Sequence, residues 1–232
     1  MDGDADLAAV AAVVAEPARA RILAALGDGR ALPASVLAAQ AGVAPSTGSE
    51  HLAKLVAAGF LSAERNGRRR VFRLAGPEVN EALEALARLA PPEPVRSLRE
   101  GTRAEALRRA RTCYDHLAGR LGVGLMAALL DRELLANGAA HGGEPDYRIT
   151  EAGLDAFREL EIDLARIPGR RPAVRYCLDW SEKRHHLGGK LGKALADRFF
   201  ELGWLERYEF GRAVRVTPVG ERGLVEVFGL DP

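Results

Sequence analysis

Residues 44–74 constrain the fold of this chain more than any other stretch. Within it, residues 46–57 contain no proline, and Leu52, Leu55 and Val56 recur at helical spacing, which predicts a helix with these side chains facing inward. Gly59 follows, where the end of a helix favours a residue without a Cβ atom. Next come a strand at about 60–65, an Asn-Gly turn at 66–67 and a second strand ending near residue 74. Asn-Gly between two such runs is a strong hairpin signal, because both central turn residues adopt positive φ.

Polar and basic side chains cover the outside of this predicted helix and hairpin. Such a helix fits the roughly 12 Å major groove of DNA, and guanidinium groups on a hairpin reach phosphates or the adjacent minor groove. An arginine-rich hairpin can also be merely a solvated surface. A preceding helix at 33–41 and a turn at 42–43 complete the order helix, turn, helix, wing, which favours DNA binding. The predicted DNA-contacting residues are Ser46, Thr47, Ser49, Glu50, His51, Lys54, Arg65, Arg68, Arg69 and Arg70.

Several short motifs support this interpretation: Glu16-Pro17-Ala18-Arg19, Ser46-Thr47, Ser49-Glu50-His51-Leu52, Ala58-Gly59-Phe60-Leu61, Arg65-Asn66-Gly67-Arg68 and Phe72-Arg73-Leu74. In these motifs and their spacing, residues 8–90 resemble the ArsR/SmtB group of bacterial winged-helix repressors. The resemblance implies operator binding and a homodimer in which the first and last helices of the module pair across a two-fold axis. Gly48 departs from the pattern, since the family carries an aliphatic residue there. Glu50 is an acid aimed at a polyanion, and either accepts from a cytosine amino group or pairs with a neighbouring arginine.

The predicted dimer helix lies at residues 77–90, with an apolar stripe of Val79, Leu83, Leu86 and Ala90. A contact with the rest of the chain would produce the same stripe. The metal-binding patterns of the resembling family are missing, because residues 1–90 contain no cysteine and the acidic residues on this helix, Glu81 and Glu84, lack the His and Asp partners that those sensors use. Metal sensing therefore does not follow from the resemblance.

Composition bounds the class of protein and its compartment. The 232 residues are 47% hydrophobic and carry a net charge of +1, which indicates a soluble globular protein of one or two domains whose basic residues are concentrated in the wing. The apolar run 7–15 follows an acidic segment, so it predicts a first helix rather than a signal peptide, and a cytoplasmic location. No glycine-rich cofactor loop or oxyanion signature is present, so no enzyme is predicted.

Three prolines at positions 91, 92 and 94 mark a boundary, because they cannot continue a helix. The sequence predicts a winged-helix DNA-binding and dimerisation domain at 1–90, a linker at 91–101 and a C-terminal domain at 102–232. The expected fold class is mainly α with small β-hairpins.

The C-terminal half contains an internal repeat. Residues 111–122 align with 175–179 followed by 186–192, with an offset of 64 at the two cysteines and 70 from the two histidines on, so the second copy has a six-residue insertion at 180–185. Each copy then ends in a strand-like run and a Thr-x-x-Gly motif, in which Thr150 and Thr217 are expected to cap short final helices. The pattern predicts two helix-plus-hairpin units related by a pseudo-two-fold axis. Chance similarity of two alanine- and leucine-rich helices is the alternative.

Four residues in the repeat could carry chemistry: Cys113, His116, Cys177 and His186. The three-residue spacing of the first pair predicts that Cys113 and His116 share one helix face. If the copies pair, the four side chains form a Cys₂His₂ set that suits zinc, or the two thiols form a redox switch. Alternatively the cysteines are small core residues, and each histidine bonds a backbone carbonyl.

Together these features predict a homodimeric DNA-binding transcription regulator, a repressor, whose C-terminal domain senses an effector that the sequence does not identify. Two alternatives remain for that domain. It either braces the dimer or contacts another protein without sensing anything, or it acts as a thiol redox switch.

Overall fold

The structure, a computed structural model, describes residues 4–67, 69–138, 145–166, 171–209 and 211–232. The chain divides into two compact units, Met1–Ala87 with Glu209–Arg212, and Arg88–Tyr208 with Ala213–Pro232. The first unit ends close to the predicted boundary at residue 90. A helix that begins at Leu98 occupies part of the predicted linker. The domain limits themselves stay a prediction.

The N-terminal part of the chain contains five helices and a small sheet in the described residues. Its elements are α1 (Leu7–Val14), α2 (Pro17–Ala25), β1 (Leu32–Pro33), α3 (Ala34–Ala41), α4 (Pro45–Ala57), β2 (Leu61–Asn66), β3 (Arg69–Leu74) and α5 (Pro77–Leu89). The sheet is antiparallel in the order β1-β3-β2. Apolar side chains of α2, α3, α4 and the sheet form one core, which contains the inward-facing Leu52 and Leu55 predicted for α4. This is a helix-turn-helix followed by a wing, as predicted.

The turn of the wing differs from the prediction by one residue. Asn66 pairs with Arg69 in the β2–β3 ladder, so Asn66 belongs to β2 and the turn begins at Gly67 rather than at Asn66. Gly67 adopts a positive φ of 61°, which such a loop requires. Because Asn66 stays in the ladder, only one residue of the Asn-Gly pair lies in the loop. Arg68 lies outside the described residues.

Gly48 lies at the closest approach of α3 and α4. It is buried, and a Cβ atom on it would lie 2.6 Å from the Cβ atom of Ala38, closer than two carbon atoms can come without displacement. A glycine inside a helix costs about 1 kcal/mol relative to alanine, and here the missing side chain allows the two helices to meet. The departure from the family pattern therefore has a packing reason.

We expect Gly48→Ala to destabilise the protein, although alanine is the better helix former. Overpacking a core costs about 1–3 kcal/mol, which exceeds the gain of about 1 kcal/mol in helix propensity. Thermal unfolding of the full chain, followed by circular dichroism, measures the effect. The double variant with Ala38→Gly removes the clashing atom and is expected to recover part of the loss. A single variant as stable as the parent would contradict this account.

The C-terminal part consists of α6 (Leu98–Arg109) followed by two copies of one unit. The first copy contains β4 (Arg111–Cys113), β5 (His116–Ala118), α7 (Gly119–Asp131), β6 (Leu135–Asn137), β7 (Tyr147–Ile149) and α8 (Glu151–Glu159), followed by a 3₁₀ turn, Leu164–Arg166. The second contains β8 (Arg175–Leu178), β9 (His185–Gly188), α9 (Gly189–Glu201), β10 (Leu205–Arg207), β11 (Val214–Val216) and α10 (Pro218–Phe228). Each copy has the order hairpin, helix, hairpin, helix, and all four hairpins are antiparallel. The predicted duplication is confirmed.

Equivalent positions of the two copies lie in the same hydrophobic core. Leu125 and Leu195 are both buried there, as are Leu129 and Phe199. These pairs keep the offset of 70 residues that the sequence alignment predicts. Each copy supplies half of one core, so the two copies fold as one unit rather than as separate domains.

The repeated Thr-x-x-Gly motif has a steric and a capping role. The hydroxyl oxygens of Thr150 and Thr217 accept hydrogen bonds from the amides of Gly153 and Gly220 at 2.9 and 3.0 Å, as predicted for N-caps. A Cβ atom on either glycine would lie 2.1 Å from a carbonyl oxygen of the preceding strand region. The motif therefore lets the last helix of each copy start directly against the preceding hairpin.

Within the described ranges, none of the helices has the length and apolar character that crossing a membrane requires.

Candidate functional site

The outer face of α4 presents the polar side chains that the sequence predicts. Ser46, Thr47, Ser49, Glu50 and Lys54 are all exposed. Glu50 has no ion-pair partner among the residues that the structure describes, so nothing there supports the hypothesis that it ties down an arginine.

His51 differs from the other predicted residues of α4. It is half-buried, and its Nε2 atom lies 3.6 Å from a carboxylate oxygen of Glu16, the residue that caps α2. The amide of Arg19 donates to that carboxylate, and this bond, with a smaller effect of His51, holds the pKa of Glu16 below its usual value. His51 therefore faces α2 at the edge of the exposed surface, and its contact with DNA stays a prediction.

Three arginines of the wing carry positive charge that no ion pair within the described residues neutralises. Arg65, Arg69 and Arg70 are exposed, and none of the three forms an ion pair with any residue in the described part of the chain. Arg65 and Arg70 lie directly opposite each other in the β2–β3 ladder, where like charges are destabilising. A bound anion would relieve this repulsion. Arg73, in contrast, pairs with Glu64 across the hairpin.

The Cys–His pairs lie on β-hairpins, and the prediction that Cys113 and His116 share a helix face is wrong. Cys113 ends β4 and His116 begins β5, and the two residues pair across a two-residue turn in which Tyr114 adopts a φ of 60°. Cys177 and His186 also pair across two antiparallel strands, β8 and β9, but residues 179–184 form a longer loop between these strands. A spacing of three residues suits a helix face as well as a tight hairpin, and strand pairing decides between them.

The two hairpins bring all four candidate side chains together. Their possible ligand atoms, the two Sγ atoms and one ring nitrogen from each histidine, lie within 4.8 Å of one another. Cys113 and His186 are fully buried, His116 is 7% exposed, and Cys177 is half-buried. The Nε2 atoms of both histidines are buried and have no hydrogen-bond partner among the described residues. We call these four residues the Cys–His cluster.

The approach of the two copies is reciprocal. A Cβ atom on Gly122 of α7 would lie 3.5 Å from the Cβ atom of His186, and one on Gly192 of α9 would lie 3.3 Å from the Cβ atom of His116. Each helix thus packs against the histidine of the other copy. This is the contact expected of a pseudo-two-fold axis that passes through the Cys–His cluster.

A carboxylate accompanies each histidine. An oxygen of Asp115 lies 3.3 Å from Nδ1 of His116, and an oxygen of Asp179 lies 3.3 Å from Nδ1 of His186. Asp115 and Asp179 occupy equivalent positions of the repeat, at the offset of 64 residues. Asp115 also pairs with Arg171. The carboxylates lie where they can orient the imidazole rings.

Sequence reasoning missed the buried ion pair of Arg111 and Asp179. Both side chains are fully buried, and they meet at 2.8 Å. The Arg111 guanidinium also lies 4.5 Å from the centre of the Trp180 ring. Burial alone would raise the pKa of Asp179, but His186 and Arg111 outweigh it and hold that pKa far below its usual value. The repeat did not indicate this ion pair, because Arg175, which is equivalent to Arg111 in the second copy, is exposed.

The protons of the Cys–His cluster are strongly coupled. Burial opposes protonation of His116, but a Cys113 thiolate and Asp115 outweigh it and raise the pKa of His116 to about 9. A hydrogen bond with Cys177, followed by burial, raises the pKa of the Cys113 thiol. Any metal ion that binds here has to displace these protons, since thiolate and neutral imidazole are the ligating forms.

Comparison with known proteins defines the class. Residues 14–62 match a family model described as a helix-turn-helix domain. Over 217 residues, 93% of this chain and 94% of the relative, the chain is 38% identical to the Bacillus subtilis (strain 168) protein named "Uncharacterized HTH-type transcriptional regulator YdfF". The chain therefore belongs to the family of HTH-type transcriptional regulators. It is a DNA-binding transcription regulator with a long C-terminal extension, and not an enzyme.

Two solved structures resemble the N-terminal part. Reduced HlyU from Vibrio cholerae N16961 is 26% identical and covers 37% of this chain and 90% of its own, with a TM-score of 0.34. The homodimeric winged helix-turn-helix domain of Mb0332 from Mycobacterium bovis, described as a possible ArsR-family regulator, is 29% identical. It covers 38% of this chain and 88% of its own, with a TM-score of 0.33.

Proposed function

We propose that the protein is a homodimeric repressor that reads operator DNA with α4 and the wing. The observation that carries this proposal is the combination of an exposed polar face on α4 with three arginines on the hairpin beside it that form no ion pair with any described residue. Ser46, Thr47, Ser49 and Lys54 would contact base edges in the major groove, where hydroxyl and ammonium groups read donor and acceptor patterns. Cytoplasmic localisation stays a prediction of the sequence.

The arginines of the wing would bind the DNA backbone. Guanidinium groups contact phosphates in a way that positions a protein without reading sequence. Arg65, Arg69 and Arg70 are assigned this role, and Arg68 joins them on the sequence alone. A phosphate between Arg65 and Arg70 would convert their mutual repulsion into a shared attraction.

Apolar side chains on α1 and α5 support the homodimer. Leu7 and Val10 on α1 are 76% and 49% exposed, and Leu86 on α5 is 50% exposed. Water-exposed leucines on the first and last helices of a small module suit a surface that a second copy covers. A two-fold dimer presents two recognition helices to half-sites about one helical turn apart.

The C-terminal unit is proposed as the sensory domain, with the Cys–His cluster as the site where the signal acts. Buried and converging thiols and imidazoles suit a metal ion or an oxidant better than a purely structural brace. Such a signal would act by shifting the population between dimer geometries that do and do not fit the operator.

We expect the double variant Arg69→Ala, Arg70→Ala to bind DNA more weakly, with a shallower salt dependence. Each lost phosphate contact reduces the slope of log K against log salt by about 0.9. Fluorescence titration of the protein's own promoter region, compared with random DNA at several salt concentrations, measures this effect. Arg215→Ala is the matched control, because Arg215 is an exposed arginine of the other unit that pairs with Glu206. An unchanged slope in the double variant would exclude the wing from DNA contact, and equal affinity for random DNA would count against operator reading.

A further inference from the structure

We propose that the Cys–His cluster is a tetrahedral site for one divalent metal ion of the zinc class, and that the bound ion ties the two copies of the repeat together. The metal ion would be the signal for the sensory role proposed above. Only the regulatory consequence of metal binding rests on that role. Metal binding itself is a property of the C-terminal unit.

The distances suit a small four-coordinate ion. Zinc bonds of about 2.0–2.3 Å to nitrogen and sulfur imply distances of about 3.4–3.8 Å between ligand atoms in a tetrahedron. The four candidate atoms lie within 4.8 Å of one another, so a contraction of about 1 Å by side-chain rotation closes the site. Two residues come from each hairpin, and cross-strand pairing holds each pair in place.

Three buried nitrogen atoms lack hydrogen-bond partners at this point in the described part of the chain: Nε2 of His116 and both ring nitrogen atoms of His186. Both histidines are more than nine-tenths buried. A buried polar atom without a partner is destabilising, and native structures rarely tolerate several in one place. A metal ion between the two rings would satisfy both Nε2 atoms, while Nδ1 of His186 has the carboxylate of Asp179 at 3.3 Å.

The surrounding charges agree with metal binding. Asp115 and Asp179 lie 3.3 Å from the Nδ1 atoms, and a carboxylate at that nitrogen orients the ring so that Nε2 offers its lone pair to the metal. Two thiolates and two neutral imidazoles around a divalent cation have no net charge, which suits a buried location. Thiolate ligands favour zinc and its soft neighbours over magnesium and calcium.

A disulfide between Cys113 and Cys177 is the competing use of the same atoms. It needs the two sulfur atoms at about 2.05 Å, and it would leave both Nε2 atoms without partners. A metal ion, in contrast, would give both Nε2 atoms a partner.

The expected effect of the ion is to join parts of the chain that are about 70 residues apart. Because each histidine packs against the helix of the other copy, an ion held by both hairpins restricts the movement of one copy against the other. The set of four protein ligands has no open position, which is typical of structural and regulatory sites rather than catalytic ones.

The test is a metal titration of the full chain after treatment with chelator and reductant. With Co²⁺ as the probe, we expect one equivalent per chain, the intense visible absorption of tetrahedral Co²⁺ and a thiolate charge-transfer band that Zn²⁺ abolishes. Zn²⁺ should also slow the alkylation of half-buried Cys177 and raise the unfolding midpoint. These readouts use the unaltered protein, so they do not depend on the folding of a variant.

Variants locate the site. Cys177→Ser and His116→Gln remove ligands, so they are expected to weaken binding at least about 100-fold, the upper end of what loss of a supporting group costs. Asp115→Asn is expected to weaken it about 10–100-fold through the orientation of His116. Asp197→Asn, which changes an exposed carboxylate of α9, is the control and should bind the metal like the parent.

Four results would overturn the proposal: no stoichiometric binding, an octahedral Co²⁺ spectrum, unchanged binding by the Cys177 and His116 variants, or a disulfide under mild oxidant without metal binding. Promoter titration of the metal-free and Zn²⁺-loaded protein separates this result from the proposed function. If neither form binds DNA, the proposed function is wrong and the metal site is unaffected. If both forms bind DNA equally well, the metal site does not regulate DNA binding.

Discussion

Asp179→Ala is expected to destabilise the C-terminal unit by about 3–5 kcal/mol, because removing one partner of a buried ion pair leaves the other charge unpaired. Arg111 would keep a fully buried guanidinium without its carboxylate. The same carboxylate accepts hydrogen bonds from the amides of Gly119 at 2.7 Å and Ser181 at 2.9 Å, so the loss also leaves backbone donors without partners.

Urea unfolding followed by tryptophan fluorescence measures this effect, since both tryptophans, Trp180 and Trp204, belong to the C-terminal unit. The measurement is made with chelator present, so that it reports the ion pair rather than metal. Asp197→Ala is the matched control, because Asp197 is an exposed partner of Lys193 and such pairs contribute about 0–1 kcal/mol. Equal losses of unfolding free energy in the two variants would show that the buried ion pair contributes no more to stability than the exposed one.

Leu86→Glu is expected to convert the proposed homodimer to monomer and to weaken operator binding with it. Burial of a leucine side chain contributes about 1.5–3 kcal/mol, and a two-fold interface contains the residue twice, so dimer affinity should fall by about 10²–10⁴. The new carboxylates would repel each other across the axis. Sedimentation velocity over a range of concentrations gives the dimer constant, and promoter titration gives the consequence for DNA.

Val219→Glu is the control for Leu86→Glu, since Val219 on α10 is equally exposed, at 50%. It should leave both assembly and DNA binding unchanged. If the Leu86 variant remained dimeric, α5 would not be the dimer surface. If it became monomeric and still bound the promoter at full affinity, dimerisation would not be needed for recognition.

The helix-turn-helix and its wing could be predicted because their signals are local. Periodic leucines, the Gly59 stop and the Asn-Gly pair each act over a few residues, and the structure confirms the elements within one residue at most ends. The predicted position of the turn was wrong by one residue. Hairpin register depends on which residues pair, and the sequence pattern of β2 and β3 does not decide whether Asn66 belongs to the strand or to the turn. The reason for Gly48 was also hidden, since it depends on Ala38 of another helix.

The duplication could be predicted for a similar reason. An alignment of the chain with itself needs only order and spacing, and the matched leucines and Thr-x-x-Gly motifs provided both. Alignment does not distinguish a helix from a hairpin around Cys113 and His116, because residues i and i+3 are neighbours both on one helix face and across a two-residue turn. The Arg111–Asp179 pair had no signal at all, since its members are 68 residues apart and do not occupy equivalent positions.

The sequence by itself determined that this protein is a winged-helix DNA-binding regulator with a duplicated extension, because those properties follow from the spacing of residues within short stretches of the chain. Only the tertiary structure decided that two hairpins, one from each copy, meet so that two thiols and two imidazoles converge. The physical reason is that this contact depends on how the copies pack in their shared core, through Gly122, Gly192 and the surrounding leucines. Packing between segments about 70 residues apart is a property of the whole folded unit, and no local pattern contains it.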